Sequence, residues 1–164
     1  MGIKEQGKFL FTPQAIEQRV NYLLRKTVVT RGSTERSFNG RPYSGETSQA
    51  VLNGNLLAER ISYTIPPSDG ASEEPPDERS EKDSLRPFAT YGLYGTMNRG
   101  PVSVKVTVYE GDNGGLAHSY HFELPEPNLP YGATRMVVVR NPEESPFTEE
   151  EQRNIAATLG IGLQ

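Results

Sequence analysis

A chain of 164 residues, 34% of them apolar, can bury one core without covalent staples, so residues 1–164 are expected to form a single domain. It has no cysteine, which excludes disulfides, thiolate metal sites and thiol nucleophiles and suits a reducing, cytoplasmic compartment. The net charge of −4 disfavours generic nucleic-acid binding, and no run of about 18 apolar residues provides a membrane span.

Thr12-Pro13 reads as a helix start, with Thr12 as N-cap and Pro13 at the first helical position. Ile16, Val20, Leu23 and Leu24 then recur at offsets of four, seven and eight, the apolar stripe of an amphipathic helix over residues 13–26. The β-branched run Thr27–Thr30 closes it, at most as a short strand. Residues 31–46, with Gly32, Asn39, Gly40, Pro42 and Gly45, read as a loop. Ala50, Val51, Leu56, Leu57 and Ala58 point to a second helix over 47–59, weakened by Asn53-Gly54-Asn55. Ile61, Tyr63 and Ile65 alternate with polar residues as a half-buried strand that Pro66-Pro67 ends.

Residues 66–86 hold four prolines and ten charges, with Leu85 their only large apolar residue. Burial there cannot repay the entropy of ordering, so a disordered acidic loop is expected. Beyond it, residues 88–97 form a strand interrupted by Gly92 and Gly95. Val102, Val104, Val106 and Val108 alternate with polar partners in the clearest strand of the chain. Residues 110–115 make a hairpin loop and 116–124 the returning strand. The run Met136-Val137-Val138-Val139 within 134–140 suits a central strand. A last helix opens on a capping box, Thr148 with Glu151, and stops at Gly160. The sum is an α+β fold: a mostly antiparallel sheet of about 4–6 strands with two or three helices packed on one face, and a long disordered loop.

Charge is distributed unevenly. Residues 1–45 carry eight bases against three acids, whereas 66–86 carry seven acids against three bases. The basic third nominates Arg25, Lys26, Arg31 and Arg36, with Arg19 and Arg41, as an anion-facing patch, although such residues also serve as an ordinary solvated face.

The only histidines are His118 and His121. On a strand they point to opposite faces, while His121 and Glu123 share one. That pair has the chemistry of a general base and its orienting partner, or of two metal ligands, but no further His or Cys cluster completes a metal site. No metal or cofactor is therefore expected, and no phosphate loop, nucleophile elbow or zinc motif is present. Eight tyrosines against no tryptophan are the stronger bias. Tyr91, Tyr94, Tyr109, Tyr120 and Tyr131 fall on or beside the expected sheet, with Tyr109 and Tyr120 as candidate cross-strand neighbours. Rings with a polar tip can anchor a protein interface or stack bases.

Three readings are open. The first is a non-enzymatic binding protein, an inhibitor or adaptor, that docks a macromolecular partner, foremost a protein, through a tyrosine-bearing sheet face and charged loops. The second is a metal-independent nuclease or phosphodiesterase, with His121 and Glu123 as proton shuttle and the N-terminal arginines as phosphate clamp. The third is a structural assembly subunit.

Overall fold

The computed structural model describes residues 8–38, 40–64, 85–97, 99–111, 115–126, 128, 130, 132–140 and 145–163. Helix α1 (Pro13–Lys26) begins where the sequence places it, because Thr12 Oγ1 accepts the Ala15 N–H at 3.1 Å and Pro13 occupies the first turn. Seven strands follow: β1 (Val28–Phe38), β2 (Arg41–Leu52), β3 (Asn55–Thr64), β4 (Arg86–Met97), β5 (Gly100–Glu110), β6 (Leu116–Pro125) and β7 (Thr134–Arg140). Helix α2 (Glu149–Leu159) closes the chain, with the capping box of Thr148 and Glu151 formed and Gly160 in the left-handed conformation at its C-cap.

The strands pair in sequence order, every neighbour antiparallel, as one seven-stranded meander. The sheet is therefore larger than the 4–6 strands expected, and the reason lies in residues 31–59. The stretch 31–46, read as a loop, is most of the β1–β2 hairpin. Strand β1 is exposed along most of its length and shows no apolar alternation, so its turn-like composition dominated the reading. Residues 47–59, read as a second helix, are the end of β2 and the start of β3. Asn53 and Gly54 both have positive φ, 52° and 79°, which is the tight hairpin turn that Asn-Gly favours. A register shift between Ala50 and Val51 disturbs the period-two pattern there. No third helix occurs among the described residues. The acidic stretch expected over 66–86 lies outside the described residues up to 84, and Arg86 already opens β4.

Register sorts the sheet into two faces. Ala50, Ala58, Leu93, Val104, Phe122 and Val137 form one row across six strands, and Arg60, Tyr91, Val106, Tyr120 and Val139 run parallel to it. This first face carries the core. Ile16 and Val20 of α1, Ile155, Ala156 and Leu159 of α2, and Phe9, Phe11 and Phe147 belong to the same buried cluster. Phe9 and Phe11 lie against Tyr120 and Phe122, and Phe147 meets Phe122 edge-on at 4.9 Å. Small residues let the helices approach: Leu159 of α2 would come within 3.1 Å of a Cβ placed on Gly95. Polar contacts close the edges, Arg60 donating to Asn21 at 2.8 Å and the Tyr91 hydroxyl to Glu17 at 3.2 Å. Fully buried Gln152 fastens the N-terminal segment, its side chain accepting from Leu10 N–H at 2.7 Å and donating to Lys8 C=O at 3.1 Å.

Candidate binding face

The second face is polar. One row crosses it as Thr30, Gln49, Glu59, Gly92, Lys105, His121 and Val138, and the next as Gly32, Thr47, Ile61, Thr90, Thr107, Ser119 and Arg140. An open, solvated sheet face of this composition would leave its side chains wet, yet Glu59, Thr90, Thr107 and Ser119 are buried.

The cause is curvature. Phe38 at the end of β1 lies with its ring centroid 6.1 Å from that of Tyr109 on β5. In a flat sheet four strand spacings would separate those strands by about 19 Å. The sheet therefore curls around its second face. Phe38 meets Tyr43, Tyr63 and Tyr109 edge-on, at 5.7, 5.1 and 6.1 Å. Two inner glycines make room for rings lying flat on the strands. A Cβ on Gly45 would stand 2.6 Å from Ile61 Cγ2 and 3.3 Å from the Tyr63 ring, and one on Gly92 would stand 3.2 Å from the Tyr94 hydroxyl.

Inside the curl the polar groups answer one another. The Tyr63 hydroxyl lies 2.8 Å from Thr90 Oγ1, which lies 2.9 Å from Thr107 Oγ1. Glu59 accepts from Gln49 Nε2 at 2.6 Å and from the Tyr94 hydroxyl. Burial, followed by the field of Glu59, pushes the Tyr94 phenol far above its ordinary value, and burial raises those of Tyr63 and Tyr109. These phenols are neutral hydrogen-bonding groups at any physiological pH.

Toward β5–β7 the same face opens. Lys105 Nζ sits 5.6 Å above the Tyr94 ring, and His121 Nε2 lies 3.1 Å from Ser119 Oγ. Burial lowers the His121 pKa, and the positive charges of Arg140 and Lys105 lower it further. On edge strand β7, Met136 and Val138 are 62% and 48% exposed beside Glu123 and His121. The Met-Val-Val-Val run, expected in a central strand, is thus an edge strand whose surplus apolar side chains face solvent.

The structure divides the residues nominated from sequence. Tyr94 and Tyr109 share the second face, whereas Tyr91 and Tyr120 lie in the first-face core. Tyr120 is 2% exposed, and burial pushes its hydroxyl up to about 12. Tyr109 and Tyr120 are not cross-strand partners: Tyr109 pairs with Ala117 and Tyr120 with Val106. Tyr131 lies outside the described residues. Tyr43 and Tyr63, which sequence reasoning passed over, complete the aromatic cluster; with 31–46 read as a loop, no alternation could place Tyr43.

The basic residues do not form one patch. Arg25 and Lys26 end α1, while Arg31 and Arg36, five apart on β1, face opposite sides of the sheet, Arg36 on the second face. Arg19 lies against Gly160 at the end of α2 and over the Tyr22 ring. His121 and Glu123 share the second face, and His118 stands on the other, opposite Val108. Among the described residues no group of three or more His, Asp or Glu side chains is disposed to hold a metal ion. No helix among them is long and apolar enough to cross a membrane.

A cleft of about 380 Å³ lies elsewhere, between α2 and the ends of β4, β6 and β7, lined by Met97, Leu124, Pro125 and Ile155. Its Arg135 is held between Glu126 and Glu151 at 3.8 and 3.9 Å, a structural tie. Comparison with protein-family models, with curated proteins and with solved structures found no match for this chain.

Proposed function

We propose that this chain is a non-enzymatic binding protein that docks a protein partner through the second face of its sheet and the free edge of β7. In this reading the two helices cover the first face and leave the second to the partner. The observation that carries it is β7 itself. Among the described residues no strand pairs with its outer edge, and Met136 and Val138 stand exposed beside it on the second face. An edge of unpaired N–H and C=O groups with apolar side chains alongside is the surface to which a partner strand adds.

The hydrolytic reading keeps His121 and Glu123 on one face, with one of its nominated cations there. Of Arg19, Arg25, Lys26, Arg31 and Arg36, only Arg36 stands on the face that holds His121. The assembly reading differs from docking in the identity of the partner, which would be a second copy pairing β7 with β7.

The test replaces Met136 and Val138 together by Asp, which leaves the core untouched because both side chains already face solvent. A stoichiometric complex isolated with the wild-type chain should be lost with the double variant, with its solution mass identifying a heterologous partner. A complex that survives the double substitution refutes docking at β7. A mass that is a multiple of this chain alone replaces docking by assembly.

A further inference from the structure

The open half of the second face gathers two cations that form no salt bridge among the described residues. Lys105 on β5 and His121 on β6 are register partners, and Arg140 on β7 is the partner of Ser119, one row away. The Ser119 hydroxyl, 3.1 Å from His121 Nε2, links the two rows, and Thr107 lies opposite Ser119 on β5. Two neighbouring rows on three adjacent strands therefore bring an ammonium, a guanidinium, an imidazole and a hydroxyl together.

Among the described residues two acids face this side. Glu59, two strands from Lys105 in its row, is engaged by Gln49 and Tyr94. Glu123 stands in the next row, between Ser103 and Met136. Among the described residues neither Lys105 nor Arg140 forms a salt bridge. In a chain of net charge −4, Lys105 and Arg140 bring two positive charges to the open part of this face. The surroundings are apolar on two sides: Lys105 rides over the Tyr94 ring, and exposed Val138 is the register partner of His121.

We infer that Lys105, His121, Arg140 and the Ser119 hydroxyl form a binding site for the phosphate group of a small phosphate monoester, whose apolar remainder lies against Val138. A phosphate dianion offers three acceptor oxygens to two cations and a hydroxyl, and it accepts a proton-bearing imidazole as a further donor. The geometry suits a phosphate better than a carboxylate, because the donors arrive from three strands rather than as one planar fork. The site lies on the face assigned to docking, but it holds whether or not a protein binds at β7.

Protonation gives the site a signature. Burial first, then Arg140 and Lys105, lower the His121 pKa without ligand. A bound dianion opposes the local field of Arg140 and Lys105, so binding should raise the His121 pKa. His118, whose pKa burial also lowers, stands on the opposite face and serves as an internal control.

The experiment titrates the full chain with phenyl phosphate and with inorganic phosphate, following both imidazoles by NMR across pH. Phenyl phosphate should bind at least tenfold more tightly than inorganic phosphate and raise the His121 pKa, leaving that of His118 unmoved. Lys105→Met and Arg140→Met should each weaken binding at least tenfold, with Lys105→Arg restoring most of it. Absence of binding, equal affinity for the two probes, or a shift at both histidines overturns the assignment. Affinity unchanged in both methionine variants does the same. Release of phosphate from phenyl phosphate would contradict the non-enzymatic reading above, not this site.

Discussion

Replacing Phe38 by Ala tests the curvature on which the second face depends. The ring makes three edge-on contacts, to Tyr43, Tyr63 and Tyr109. Each such pair contributes about 0.5–1.5 kcal/mol beyond its buried area. A fully buried Phe→Ala costs about 3–5 kcal/mol, and this ring is only half-buried, so a loss of about 2 kcal/mol is expected. For a domain of this size that lowers Tm by about 4–8 °C. The decisive quantity is the coupling in a urea-unfolding cycle of wild type, Phe38→Ala, Tyr109→Ala and the double variant. Strands β1 and β5 are four places apart in the sheet order, so in a flat sheet the two rings could not touch. The curled sheet predicts a coupling of about 0.5–1.5 kcal/mol. Costs that add to within about 0.3 kcal/mol would show that the rings do not meet, and the reasoning about the trough would fail.

Gln152→Leu keeps the volume of the side chain but strands the Leu10 N–H and the Lys8 C=O. A loss of about 2–4 kcal/mol is expected, with faster amide exchange through Leu10 and Phe11; unchanged exchange there would show that Gln152 fastens nothing. Thr148→Ala should cost about 1 kcal/mol by removing the cap on α2, and Thr148→Ser should recover most of it in the same unfolding assay. The folded-state pKa values of His118 and His121 both lie below 6.5, so near pH 6.5 the unfolded chain binds more protons than the folded one. Their contribution to stability should be complete above about pH 7 and fall away as pH drops through 6.5, more shallowly in the His118→Gln, His121→Gln double variant; equal slopes would contradict the shifts.

The helices were legible because their ends are chemically explicit. Thr12-Pro13 at one start, Thr148 and Glu151 at the other, and Gly160 as a stop each satisfy backbone groups that a helix end leaves open. Strand β5 was legible because it alternates strictly between an apolar core and a polar trough. The strand at Ile61 and Tyr63 was legible too, as the end of β3, but β1, β2 and the start of β3 were not, for two physical reasons. An edge strand exposed on both sides needs no apolar alternation, so β1 resembles a loop. In β2–β3 the irregularity at Ala50 and Val51 brought apolar residues into a run that mimics a helix, and outweighed the Asn53-Gly54 hairpin signal. The same error hid the site. Without β1, β2 and the start of β3 there is no curl, and the tyrosines cannot be sorted into core (Tyr91, Tyr120) and trough (Tyr43, Tyr63, Tyr94, Tyr109). His121 and Glu123 were placed correctly on one face, because strand alternation needs only local sequence. The cations around His121 come from neighbouring strands, so only register could identify Lys105 and Arg140.

The most direct measurement for the docking surface is an amide-exchange footprint of the chain with and without its purified partner. If the partner adds along the free edge, the outward-facing N–H groups of β7 should slow markedly in the complex, with smaller protection at the open ends of β5 and β6. Amides of α1 and α2 should exchange as in the free chain. Protection confined to the helices, with β7 unchanged, would place the partner on the wrong side of the molecule and contradict the account.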